Sequence, residues 1–159
     1  QKYEYQGSDY SRNQCQDNDA KQKSSKKKGQ EIPRDIIIAF YNKSSLQNKE
    51  LVKFEKNTRF PCKKEAQLTP LDVNLTSKVE KLFISLFIYK ENDVCKNLPE
   101  IMIKVTSEDK FVSKTSPIID IRFEFDPNGN FKCSYKNIKN KMYNYLTIQQ
   151  EEINNFIYN

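Results

Sequence analysis

Residues 117–135 constrain this chain more than any other stretch. Ile119, Ile121, Phe123 and Phe125 alternate with Asp120, Arg122, Glu124 and Asp126. Successive strand side chains point to opposite faces, so one face is apolar and the other charged. Asp126-Pro127-Asn128-Gly129 then interrupts the run, and Asn-Gly is expected to supply the positive φ angles of a tight hairpin. Alternation resumes on the return, with Phe131, Cys133 and Tyr135 against Lys132 and Ser134. Such a hairpin has to bury its apolar face, so the pattern demands a second layer.

A chain of 159 residues fits one domain plus a tail. At this length folding can bury ~68–70% of the unfolded surface. Hydrophobic residues make up 36% and charged residues 30%, so the core is lean. No apolar run approaches the ~20 residues of a membrane helix. Beginning with Gln1 and lacking a signal peptide, the chain is expected to be a processed or excised piece. Residues 1–30 carry 7 Lys/Arg against 4 Asp/Glu, and residues 31–159 carry 20 against 17. The basic surplus is therefore concentrated in the tail, and the remainder is too mildly basic to favour nucleic acid. Cys15, Cys62, Cys95 and Cys133 form no CxxC pair, and there is no His. Reduced thiols are expected, with Cys133 a small core residue, and neither a metal nor a cofactor.

Taken in order, residues 1–34 read as a polar tail or linker, with Lys21, Lys23, Lys26, Lys27 and Lys28 forming a basic tract. That tract suits either a solvated linker or an anionic docking segment. Residues 35–41 predict a strand, 42–50 a polar loop carrying Leu46, and 51–54 a second strand. Pro61 lacks a donor and marks residues 56–64 as an edge or a connection. A polar insertion is expected over 69–80, a strong strand over 82–89, a charged loop over 90–97 and a strand over 98–105. After the hairpin, 141–146 reads as a last short strand. Thr147 is placed to cap a helix, with Gln150 three residues on, and Ile153, Phe156 and Ile157 share one helical face. The expected architecture is mainly β: a two-layer antiparallel β-sandwich over 35–146, then the start of a C-terminal helix over 147–159.

Five segments in order resemble the substrate-binding domain of the heat-shock protein 70 chaperone family. Lys56-Asn57-Thr58-Arg59-Phe60-Pro61-Cys62-Lys63 is similar to its Lys-Asn-Thr-x-Ile-Pro-x-Lys segment. Ile84 to Tyr89 and Leu98 to Ile103 resemble two of its apolar strands, with Pro99 where the family has Gly. Pro117 to Ser134 follows its Pro-x-Ile-x-Val-x-Phe-x-Ile-Asp-x-Asn-Gly-x-Leu-x-Val-Ser signature, and Glu151-Glu152-Ile153 resembles the opening of its helical lid. The Gly-Gly pair usual in the first peptide-binding loop is absent, and Ser44 to Lys49 stand there instead. The loop around 69–80 is longer than usual, a feature shared with the large co-chaperone relatives.

The resemblance implies a channel for extended apolar peptide, formed by loops above the sandwich. Carried over, its pocket comprises Phe40, Asn42, Leu68, Ile84 and Leu86, with Leu46 and Leu71 as an arch. Alternation alone gives Phe40, Ile84 and Leu86 another role, as ordinary core residues. The implied partner is unfolded or extended polypeptide, together with an ATPase domain in the parent chain and co-chaperones. The implied compartment is the cytoplasm, or alternatively the endoplasmic reticulum lumen. ATP would bind that upstream domain, so no cofactor, nucleic acid or membrane is expected here. Two further readings compete: an interaction domain of exchange-factor type with a degenerate pocket, and a nucleic-acid-binding β-domain, which would need solvent-facing aromatics beside Lys. An enzyme is not expected, since a Cys nucleophile would lack a His base and no phosphate-cradling glycine loop is present. Asp120, Glu124 and Asp126 read as the wet face of a strand. Two sequons, Asn42-Lys43-Ser44 and Asn74-Leu75-Thr76, fall in expected loops.

Overall fold

A computed structural model describes residues 30–159. The basic tract and Cys15 lie outside the described residues. Within them the chain is mainly β, with antiparallel sheets and a short C-terminal helix. The strands are β1 (Ile36–Asn42), β2 (Gln47–Phe54), β3 (Cys62–Leu68), β4 (Lys81–Ile84), β5 (Leu86–Lys90), β6 (Val94–Asn97), β7 (Ile101–Lys104), β8 (Ile119–Phe125), β9 (Phe131–Asn137) and β10 (Asn144–Tyr145). The helix α1 spans Gln150–Tyr158. One sheet has the order β2-β1-β5-β6, a second β10-β9-β8-β3, and β4 pairs with β7 apart from both.

The β8–β9 hairpin sets the second sheet. Phe125 pairs with Phe131, and Ile119 with Asn137 six rungs on. The strands end where expected, at Phe125 and Phe131, but the positive φ expected of Asn-Gly falls on Gly129 alone. Pro127 has no N–H and cannot close a pair beside Asn128-Gly129. The loop therefore runs over residues 126–130, closed by Gly129 N donating to the Asp126 carbonyl at 2.8 Å. Only Gly129 has a positive φ there, at 79°. The Asp126 side chain accepts from the backbone N–H groups of Asn128 and Asn130, both at 2.9 Å, which holds the loop open to five residues.

Both four-stranded sheets and the β4–β7 pair contribute inward residues to one buried cluster. Phe54 of the first sheet meets Phe125 of the second edge-on, with ring centroids 5.0 Å apart. Phe125 also stacks on Phe60 at 5.6 Å and tilts against Phe131 at 5.4 Å. Edge-to-face and offset ring pairs of this kind each add ~0.5–1.5 kcal/mol beyond area burial. Ile37, Ala39, Phe87, Tyr89 and Cys95 form a second buried cluster on the other face of the first sheet. Both faces of β5 are thus covered, which is why its sequence is apolar throughout.

Several expected boundaries move. The apolar run 82–89 is two strands: β5 pairs with β1, β4 pairs with β7, and the chain crosses between them at Ser85. Inward parity is unbroken through Leu82, Ile84, Leu86 and Ile88, so periodicity could not show the corner. Residues 47–50, expected in a loop, extend β2, and the turn shrinks to 43–46. The expected charged loop 90–97 holds a short 3-10 turn and then β6. Pro99 separates β6 from β7. Residues 56–64, expected as an edge or a connection, run into β3, which is an edge strand and extends through the expected lead-in to Leu68. Backbone pairing also begins before residue 35, since Ile32 N donates to the Thr58 carbonyl at 2.8 Å and Ile32 is fully buried.

Helix α1 packs Ile153, Phe156, Ile157 and Tyr158 inward. Thr147 does not cap it; Gln149 is the N-cap residue and makes no side-chain cap bond. Glu151 and Glu152 complement the positive end of the helix. At the other end the Lys90 ammonium donates to the Phe156 carbonyl at 2.9 Å and lies 4.4 Å from the Phe156 ring centre. Tyr158 Oη donates to the Gly129 carbonyl at 2.6 Å, and Asn154 Nδ2 to Asn130 Oδ1 at 3.1 Å. The helix is therefore clamped to the tip of the hairpin. Among the described residues no helix is long and apolar enough to cross a membrane.

Candidate functional site

The end of the domain formed by the β1–β2 turn and the segment after β3 carries the residues singled out from the sequence. Asn42 ends β1 and is buried. Its Oδ1 accepts from the backbone N–H of Ser44 at 2.9 Å and of Ser45 at 3.0 Å, which winds the chain into a four-residue turn. Leu46 N donates to the Asn42 carbonyl at 2.8 Å, and Leu46 takes a φ of 60°. A left-handed Leu costs about 1–2 kcal/mol relative to Gly.

After β3, Thr69 and Asp72 bond reciprocally. Thr69 N donates to Asp72 Oδ2 at 2.9 Å, and Asp72 N donates to Thr69 Oγ1 at 3.2 Å. This is the geometry of a capping box, used here to fold a loop. The remaining oxygen, Asp72 Oδ1, accepts from Asn42 Nδ2 at 3.2 Å. Ser44 Oγ donates to the Leu71 carbonyl, and Leu71 N donates to the Lys114 carbonyl at 3.1 Å. Two turns distant in sequence are thereby clasped together. Leu46 and Leu71 stand on them, 59% and 50% exposed.

The other four site residues sit inside. Phe40, Leu68, Ile84 and Leu86 are 3%, 1%, 2% and 1% exposed and belong to the main core cluster. Phe40 and Leu86 are register partners, and Leu68 pairs with Ile119 and Ile84 with Ile101. The seven predicted residues thus divide by environment: five buried, and two leucines exposed on clasped turns. Sequence reasoning missed Ser44 and Asp72, which make the clasp. The signal available was Thr69-x-x-Asp72, a spacing repeated at Thr106-x-x-Asp109 with the same geometry.

Elsewhere the polar groups are engaged structurally. Gln67 Nε2 donates to Asp120 at 2.8 Å, and Arg122 pairs with Glu65 at 3.0 Å while lying 4.0 Å from the Tyr143 ring centre. Asp109 is buried, which pushes its carboxyl up. Donors from Thr106 N, Asn137 Nδ2 and Lys139 Nζ outweigh this and hold it below its ordinary value. Burial pushes the Cys133 thiol up to about 12, so it is an inert core group. Among the described residues no group of three His, Cys, Asp or Glu is placed to hold a metal. Asn42 of the first sequon is buried at a strand end rather than in a loop, whereas Asn74 of the second is exposed. No protein-family model and no curated protein matches this chain.

Proposed function

We propose that this domain is a polypeptide-binding module of chaperone type, in keeping with its resemblance to the substrate-binding domain of heat-shock protein 70. It takes extended apolar segments of unfolded chains at the clasped turns. The carrying observation is the pair of bonds Asn42–Asp72 and Ser44–Leu71, which hold two exposed leucines together at the end of an apolar core. Recognition would combine backbone bonding with one apolar pocket, the physics of strand addition. In a parent chain an ATPase domain would drive exchange, and this module would bind without turnover.

One observation favours a second reading. Phe40, Leu68, Ile84 and Leu86 expose almost no surface, as in a filled pocket. On that reading the domain is an interaction module of the large co-chaperone relatives, and the leucines contact a partner rather than arch over a peptide.

Fluorescence anisotropy with a labelled Leu-rich heptapeptide separates the two. The first reading expects saturable binding, micromolar or weaker because ordering the peptide offsets much of the contact energy. It also expects loss of binding in Leu46→Asp and Leu71→Asp, with melting unchanged. Asp72→Ala should loosen the clasp and speed dissociation. A folded wild type with no saturable binding at millimolar peptide leaves the second reading standing.

A further inference from the structure

The β4–β7 pair has an outward face that takes no part in the clasped turns. Leu82, Ile84, Ile101 and Ile103 point into the core, so Lys81, Phe83, Met102 and Lys104 point out. Phe83 and Met102 are register partners, 43% and 40% exposed, and side by side they make an apolar step on the surface. Two residues along each strand, Lys81 lies directly opposite Lys104. Like charges facing each other across an antiparallel pair are destabilising. Among the described residues no carboxylate lies within ion-pair distance of either ammonium.

The patch continues past β7. A cleft of about 250 Å³ separates β7 from β9, and Met102, Lys104, Tyr135, Lys136 and Asn144 are among its lining residues. Lys139 on its far side is already neutralised by Asp109 at 3.2 Å. Lys136 Nζ donates to the Asn140 carbonyl at 2.8 Å and lies 5.1 Å from the Tyr143 ring centre. Two like charges thus oppose each other on one rung beside an apolar step, whereas Lys136 across the cleft lies opposite Asp120.

We propose that this face docks an acidic segment of a partner protein, bound in extended form along β7. Charge complementarity identifies the occupant. One carboxylate between Lys81 and Lys104 would turn a repulsive rung into an attractive one. An apolar residue two positions on would rest on Phe83 and Met102, since alternate residues of an extended chain lie ~6.6–6.8 Å apart on one side, the spacing of the two rungs. A nucleic acid would need stacking aromatics beside the cations. Phe83 is the one aromatic of the step, and across the cleft the Tyr143 ring is already engaged by Arg122 and Lys136. This site shares no exposed residue with the clasped turns and does not depend on their peptide binding.

The test uses the full chain and a fluorescein-labelled Glu-Ser-Leu-Ser-Glu-Ser-Leu peptide, whose Glu and Leu alternate along one side. Anisotropy should show saturable binding that weakens at least several-fold between 50 and 500 mM NaCl, through screening. Titration of ¹⁵N-labelled protein should move the amide signals of residues 81–84 and 101–104. Lys81→Gln/Lys104→Gln should weaken binding about tenfold, and Phe83→Ser should do likewise, both with melting near wild type. Lys104→Glu alone should raise the melting temperature, because it replaces a repulsive rung with an attractive one. Equal binding of a Lys-Ser-Leu-Ser-Lys-Ser-Leu peptide overturns the proposal, as does undiminished binding by the double variant. Signal changes confined to 42–46 and 69–72, or competition by the Leu-rich heptapeptide, would place the peptide at the other site and also overturn it. Tighter binding of a labelled dT12 oligonucleotide would reassign the face to nucleic acid.

Discussion

Gly129→Ala tests the joint between hairpin and helix most directly. Gly129 has a φ of 79°, where Ala costs roughly 1–2 kcal/mol. A Cβ there would stand 2.6 Å from Tyr158 Oη and 2.7 Å from the Phe60 ring. Neither neighbour yields freely. Phe60 is stacked on Phe125, and the Tyr158 hydroxyl is bonded to the Gly129 carbonyl. Overpacking of this sort costs about 1–3 kcal/mol. If Tyr158 swings away instead, the carbonyl loses its partner, for about 1–3 kcal/mol. The terms give ~2–5 kcal/mol, or a fall in melting temperature of roughly 5–15 °C for a domain near 150 residues. Urea unfolding by linear extrapolation measures the difference. Tyr158→Phe provides the cross-check. It removes the clashing oxygen, so Gly129→Ala should cost less in that background, and the two changes together should cost less than their sum. A loss under 1 kcal/mol for Gly129→Ala, or strict additivity with Tyr158→Phe, would refute the reasoning.

Burial, and then Asp126, raise the Tyr158 phenol above its ordinary 10.0, so its contribution to stability is present below pH 10 and lost as pH rises above it. Stability against pH from 9 to 11 should therefore fall less steeply in Tyr158→Phe than in wild type. Asp109 has the opposite sign: its carboxyl is held below 3.8, so its contribution is present above that pH and lost as pH falls through it. Asp109→Asn should flatten the acid limb of the stability curve between about pH 4 and 2, where wild type should decline. Phe125→Ala removes the ring that joins the sheets and should cost ~3–5 kcal/mol by urea unfolding, the usual range for a buried Phe. The purified chain should turn over no ATP above a blank in a phosphate-release assay, since its 3 glycines include no phosphate-cradling loop.

What the sequence conveyed well was parity. Alternation identified the inward faces of β8 and β9, and Phe131 and Cys133 are buried as expected. It also placed Ile153, Phe156 and Ile157 on the buried side of α1. What it could not convey was where a strand changes partners. Leu82, Ile84, Leu86 and Ile88 keep one parity through Ser85, so a corner between sheets looks like one long strand. Turn chemistry was half legible. Asp126 to Gly129 announced a hairpin, but Pro127 excluded the shortest form, because a residue without an N–H cannot close the rung a two-residue turn requires.

The candidate site was hidden for a related reason. Parity states which way Phe40, Ile84 and Leu86 point, and it is the same whether they line a pocket or fill a core. The difference lies in what stands over them, and that is set by the turns. Asn42, Ser44, Thr69 and Asp72 are short polar residues in a chain rich in such residues, and nothing in their local sequence says that Asn42 and Asp72 meet. Their meeting is a property of β1 and β3 ending at the same end of two packed sheets. The clasp is also inexpensive to open, since a neutral-to-charged side-chain bond contributes only about 1.5–3 kcal/mol. On the reading proposed above, the strength of the Asn42–Asp72 bond sets how firmly the two turns that carry Leu46 and Leu71 are held together.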